Sequence, residues 1–184
     1  MTLAHSINVH PDIKKVLIEP DRLQARILEL GRQISQDYAG RHVVLISILR
    51  GSVIFLSDLM RALTLECSVD FISLSSYSGR QSTGQVQLLL DLRGSAEGKD
   101  LLVVEDIIDT GLTLRYLLDT LRPRKPRSLE SCVLLDKPSC RKTDVKAKYV
   151  GFSIPDEFVV GFGLDYNEKY RNLPYVGILK EGVA

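Results

Sequence analysis

No apolar run in the chain approaches the roughly 18 residues of a membrane span, and the N-terminal MTLAHSINVHPDIKK has no apolar core of the secretory kind. Both absences argue against a membrane partner and set the expectation of a cytoplasmic protein. Cysteine is scarce: Cys67, Cys132 and Cys140 make no CxxC pair, so neither a zinc site nor a disulfide framework is expected. Cys132, inside SCVLL, reads as a buried thiol. His5, His10 and His42 lie outside every polar cluster of interest, which leaves little ground for a histidine-driven mechanism. An excess of one charge is missing too. With 24 Lys and Arg against 23 Asp and Glu the net charge is +1, so there is no global field for nucleic acid or an anionic membrane. A polyanion must be met by a local site.

What is present suits one domain: 184 residues, of which 45% are hydrophobic, are enough for an ordinary core. In DRLQARILELGRQI the apolar Leu23, Ile27, Leu30 and Ile34 recur at helical spacing, with Pro20 suited to the first turn. HVVLISIL (42–49) and DLLVVED (100–106) are short, apolar on both alternating faces and rich in β-branched residues, as strands buried between two layers are. A helix is expected from Gly51-Ser52 through Met60 and Leu63, and another over LTLRYLLDTL (112–121). VDFISLSSY (69–77) and VQLLLDL (86–92) read as strands around a long mobile loop, SGRQSTGQ, and SLESCVLLD (128–136) as a strand after the basic turn RPRKPR. Strand, loop, helix, strand is the pattern of an α/β fold, a mostly parallel twisted sheet flanked by helices. From about Tyr149 to residue 184 the texture changes to short extended pieces with aromatics, which predicts a small β-containing hood completed by the N-terminal segment. Ligands of such sheets sit at the carboxyl ends of the strands, so the loops after Leu49, Asp106 and Asp136 should converge.

One of those loops poses a chemical contradiction. In VVEDIIDTGLT the acids Glu105, Asp106 and Asp109 run straight into Thr110-Gly111-Leu112-Thr113, a segment with the makings of a phosphate cradle. Gly111 lets the backbone approach a ligand, Thr110 and Thr113 offer hydroxyls, and the next helix presents its unpaired N–H groups. Taken alone, the same residues are equally explained if Asp109 or Thr110 merely caps the helix. The pair Glu105-Asp106 shifts the balance, because two carboxylates at the end of a buried strand are too costly to desolvate without a ligand or cation. A ribose 5-phosphate resolves the contradiction: phosphate in the loop, sugar hydroxyls on the acids, and Asp109 left beside the reacting face.

VVEDIIDTGLTL resembles the phosphoribosyl pyrophosphate signature of the type I phosphoribosyltransferases. SILRGSVIFLSDL, SSYSGRQSTG, LLDKPSCRK and GFSIPDEFVVGFGLDYNEKYRNLPYVGIL are similar to the bacterial branch of the hypoxanthine (hypoxanthine-guanine) phosphoribosyltransferases. The likeness runs from about Ile13 to Leu179, with the motifs in family order; Leu112 and Phe162 stand where relatives often carry a polar residue and Tyr. The resemblance implies transfer of 5-phosphoribosyl from phosphoribosyl pyrophosphate to a 6-oxopurine, with Mg²⁺, in a homodimer or homotetramer. It further implies a binding loop of Glu105, Asp106, Ile107, Ile108, Asp109, Thr110, Gly111, Leu112 and Thr113, with Asp109 as the general base. Arg50, Gly51 and Arg171 would take pyrophosphate, and the peptide before Arg50 is often cis in such proteins. Lys137, Phe158, Val159 and Asp165 would take the purine, Glu105, Asp106 and Asp165 the metal, and Ser76 and Tyr77 would begin a closing loop. Three rivals stay open: a transferase preferring xanthine, a phosphoribosyltransferase fold acting as an RNA-binding regulator, and a nucleotide binder without chemistry. The third is disfavoured because no GxGxxG follows either buried strand.

Overall fold

A computed structural model describes residues 8–76 and 86–183. The first long helix, α1 (Pro20–Asp37), has Pro at its first turn and buries Leu23, Ile27, Leu30 and Ile34 completely, the four positions whose spacing defined it. Its stripe packs with Phe55, Leu56 and Leu59 of α2 (Val53–Ala62) on one face of a six-stranded sheet. The opposite face is covered by α3 (Leu112–Leu121), through Leu114, Leu117, Leu118 and Leu121. Each fully buried leucine stabilises the fold by roughly 1.5–3 kcal/mol, so α3 is held firmly enough to aim the loop before it.

The sheet consists of β2 (Val43–Leu49), β3 (Cys67–Ser76), β4 (Val86–Leu90), β5 (Asp100–Ile108), β6 (Ser128–Asp136) and β7 (Tyr149–Ser153), in the order β4-β3-β2-β5-β6-β7. Every pairing is parallel except that of β4, which runs antiparallel at one edge. In β5, Leu102 and Val104 pack toward α1 and α2 while Leu101 and Val103 pack toward α3, which is why both alternating sets are apolar. A smaller antiparallel sheet, β1 (Ile13–Ile18), β9 (Val176–Leu179) and β8 (Val159–Val160), carries its own core of Ile13, Val160, Tyr170, Tyr175 and Leu179. This is the hood.

Several expectations need correction. The hood does not begin at Tyr149, because β7 is the sixth strand of the main sheet, drawn there by a buried Tyr149 ring whose hydroxyl donates to Asp37 at 2.7 Å. Helix α2 starts at Val53 rather than at Gly51: Ser47 and Ser52 hydroxyls lie 2.6 Å apart, and Ser52 turns back on the Ile48 carbonyl instead of capping outward. Strand β5 continues two residues past Asp106, so the acidic pair sits within the strand. Strand β1 escaped the sequence reading because Lys14 and Lys15 interrupt its alternation and irregular pairing with β9 shifts its register. Tyr77 and the SGRQSTGQ segment lie outside the described residues; Ser76 ends β3.

Candidate active site

Glu105 and Asp106 sit near the carboxyl end of β5, the strand flanked by β2 and β6. Glu105 is 8% exposed, and its Oε2 is buried with no hydrogen-bond partner among the described residues. Burial, reinforced by the neighbouring Asp106, pushes its pKa well above the usual carboxylate range. Burial also lifts Asp106 to about 6, although backbone N–H donors, including that of Ile107 at 2.9 Å, and Arg171 pull the other way and Asp165 adds repulsion. Gly51 is pressed against the Asp106 carboxylate, and any side chain at position 51 would collide with it. The orphaned Glu105 oxygen and the proton-hungry Asp106 are the chemistry expected of a pair meant for ligand hydroxyls or a hard cation. Asp165 does not join them in a ready-made cage: no cluster of three metal-ligating side chains occurs among the described residues, and Asp165 Oδ1 is engaged by Arg171 at 2.8 Å.

The raised Asp106 has a consequence for stability in the metal-free protein. A carboxyl that holds its proton up to about 6 when folded, against about 4 when unfolded, contributes stability below pH 4 that is lost as the pH rises through 6. The urea-unfolding free energy of wild type relative to Asp106→Asn should therefore fall between pH 4 and pH 6.5. A difference that rose over that interval would contradict the assigned shift.

The loop after β5 settles the capping alternative. Helix α3 is preceded by Gly111 in its N-cap position, in the left-handed region at φ 83°, with no side-chain cap among the described residues. Asp109 is exposed, and Thr110 Oγ1 accepts only a long 3.4 Å bond from the Leu112 N–H. The first-turn amides of α3 thus keep the free donors and positive end that anions favour. Glycine is required at 111 twice over: by its φ and because a β-carbon would come within 3.0 Å of Thr143, Val145 and Arg141. The segment after β6 is strapped to this loop, with Lys137 N donating to Ile108 O and Lys142 N to Thr110 O, both at 2.9 Å. Arg141 pairs with Asp136, while Arg141 Nη1 and Thr143 Oγ1 are buried without partners among the described residues.

Lys137 is buried at 6% exposure, and its ammonium lies 4.0 Å from the exposed Asp156. Asp156 first, then burial, then Asp109 push the pKa of the Cys140 thiol up. The bond from Lys137 N to Ile108 O, the residue before Asp109, brings Lys137 and Asp109 to the same corner from segments distant in sequence. Phe158 is 49% exposed and meets Tyr166 edge-to-face at 5.4 Å, whereas the following Val159 is buried in β8. Core packing, the bland explanation for a lone aromatic, does not describe Phe158.

On the other side of the acidic pair the Leu49–Arg50 peptide is cis. Arg171 Nη1 donates to the Gly163 carbonyl at 2.8 Å, and Gly163 itself packs on the Gly51 backbone. Arg50, Gly51, Asp106, Asp165 and Arg171 therefore form one neighbourhood. Arg141, Thr143, Asp156 and Glu168 were not singled out from the sequence. Asp156 and Glu168 meet partners from other segments, Lys137 and Arg50, and all but Thr143 lie inside stretches whose resemblance was the only signal for them.

Comparison with known proteins agrees with this architecture. A family model described as the phosphoribosyl transferase domain matches residues 19–167. A hypoxanthine-guanine phosphoribosyltransferase of Staphylococcus aureus is 51% identical over 176 residues, covering 95% of this chain and 98% of that protein. The bifunctional protein TilS/HprT of Listeria monocytogenes serotype 4b is 49% identical over 174 residues, but the chain spans only 27% of it. A crystal structure of a hypoxanthine phosphoribosyltransferase from S. aureus superposes with a TM-score of 0.92 at 50% identity, covering 97% of this chain and 98% of that one. The chain belongs to the phosphoribosyltransferase family, in its hypoxanthine (hypoxanthine-guanine) branch.

Proposed function

We infer that the protein is a purine salvage enzyme that transfers 5-phosphoribosyl from phosphoribosyl pyrophosphate to hypoxanthine, guanine or both, giving the nucleotide and pyrophosphate. The observation that carries this is the buried Glu105 Oε2, which has no partner among the described residues, beside Asp106 and followed within one loop by the end of α3, uncapped by any described side chain. In this reading Glu105 and Asp106 accept hydrogen bonds from the ribose hydroxyls, while Thr110, Gly111, Thr113 and the first-turn amides bind the 5-phosphate. The anomeric carbon passes through an oxocarbenium-like state as the leaving group departs, so water exclusion matters as much as charge. Asp109 accepts the proton of the purine five-membered ring, and Arg50, Gly51 and Arg171 hold pyrophosphate. Phe158 stacks on the base, Val159 meets it through its backbone, and Ser76 and Tyr77 begin the loop that closes over the reaction. Mg²⁺ bound with the substrate would neutralise the leaving pyrophosphate, held from the protein side by Glu105 and Asp106, with Asp165 reached through water. A cytoplasmic homodimer or homotetramer is the expected form.

Lys137 donates to the purine 6-oxygen. Among the described residues the ammonium of this largely buried side chain meets only an exposed carboxylate at 4.0 Å, so a ligand acceptor would complete it. Replacing Lys137 by Met should lower kcat/KM for 6-oxopurines by roughly 10- to 150-fold, the worth of a charged hydrogen bond, with phosphoribosyl pyrophosphate affinity nearly unchanged. Equal loss of both, measured by steady-state kinetics and direct titration, would mean that Lys137 holds structure instead.

The RNA-binding alternative loses ground on RPRKPR, one of the two basic runs, with the lysines from Lys142 to Lys148, that could support it. Arg122 pairs with Asp119 at 3.2 Å, Arg124 with Asp91 at 2.7 Å, and Arg127 with Asp100 at 3.0 Å. A turn whose three arginines are already paired is a poor polyanion surface.

A further inference from the structure

The two arginines assigned to pyrophosphate share a protein anion. Arg50 Nη1 donates to Glu168 Oε2 at 2.8 Å, and Arg171 Nη2 lies 3.6 Å from the same oxygen. The turn that presents Glu168 is costly to build. Asn167, Glu168 and Tyr170 occupy the left-handed region at φ 50°, 61° and 74°, without being glycine. Asp165 helps hold the turn by accepting the Glu168 N–H at 2.9 Å on Oδ2, while its Oδ1 takes Arg171 at 2.8 Å. Strained backbone of this kind persists where the surroundings hold it, and here it delivers a carboxylate oxygen between two guanidinium groups.

We propose that Glu168 is an internal mimic of a phosphate oxygen: a positioning residue that holds Arg50 and Arg171 at their working separation and gives them up to pyrophosphate. The proposal rests on the assignment of Arg50 and Arg171 to pyrophosphate made above. When the substrate's diphosphate arrives, the two arginines exchange the carboxylate for phosphate oxygens. The displaced carboxylate then stands as a like charge beside the anion and favours its departure after transfer. Glu168 is 66% exposed and contributes little to packing, so its removal should leave the fold intact.

The test is calorimetric titration of inorganic pyrophosphate with Mg²⁺ into wild type, Glu168→Gln and Arg171→Ala. Gln keeps the size and one hydrogen-bonding oxygen but not the charge. Glu168→Gln should bind pyrophosphate about two- to fivefold more tightly, in line with the strength of an exposed ion pair, and should lower KM for phosphoribosyl pyrophosphate without changing hypoxanthine affinity. A residue that only shaped the turn would give unchanged or weaker binding, and that result overturns the proposal. Arg171→Ala separates the two levels. If it weakens pyrophosphate binding while Glu168→Gln does not tighten it, only the mimicry fails; if Arg171→Ala binds as wild type, the pyrophosphate assignment itself falls and takes the proposal with it.

Discussion

Asp109→Asn is expected to retain the fold and phosphoribosyl pyrophosphate binding while losing about 10² to 10⁴ in kcat, the usual worth of general-base assistance. The substitution is nearly isosteric, and Asn caps a helix about as well as Asp, so a purely structural Asp109 would tolerate it. The structure removes even that structural role, because Gly111 occupies the N-cap position of α3 and Asp109 is exposed. What surrounds Asp109 is the corner it shares with Cys140, in the segment strapped on by Lys137. Asp109 therefore stands on the loop to which the segment carrying Lys137, the residue assigned to the purine, is bonded, where a ring proton would have to be received. Turnover within about threefold of wild type, well below the general-base range, would mean that the proton leaves by another route.

Excess chelator is expected to abolish transfer, and added Mg²⁺ or Mn²⁺ to restore it. The acids available are Glu105 and Asp106, both pushed toward the protonated form by burial, and Asp165, which is engaged by Arg171. They do not form a closed site, which fits a hard cation that arrives with phosphate oxygens and keeps several waters. Calorimetry should accordingly show weak binding of Mg²⁺ alone and much stronger uptake in the presence of phosphoribosyl pyrophosphate. Tight binding of the metal to the free protein would contradict the substrate-delivered route, and full turnover in chelator would remove the metal from the reaction altogether.

The parts of this fold that follow from local pattern were legible in the chain. Leu23, Ile27, Leu30 and Ile34 trace the buried stripe of α1 because a 3.6-residue period has no cheaper explanation, and the doubly apolar 42–49 and 100–106 segments could only be covered on both faces. The acidic pair was legible for an energetic reason, since two neighbouring carboxylates on a buried strand demand a partner. Strand β7 was not, because its assignment depends on Tyr149 finding Asp37, 112 residues away. The same limit hid Glu168, whose interest lies wholly in what Arg50 and Arg171 bring to it from distant segments. The helix-capping alternative stood open in the sequence because Asp109, Thr110 and Gly111 can all precede a helix. It was resolved by backbone geometry, since α3 begins at Leu112 and so puts Gly111, not the acid, at the cap.

The most direct measurement is to incubate the purified protein with phosphoribosyl pyrophosphate, Mg²⁺ and, separately, hypoxanthine, guanine, xanthine and adenine, and to identify the products by mass. Formation of IMP, GMP or both, with stoichiometric pyrophosphate, is the expected result. Exclusive use of xanthine would correct the substrate, and no nucleotide from any base, by a folded protein that binds phosphoribosyl pyrophosphate, would contradict the assignment of a transferase.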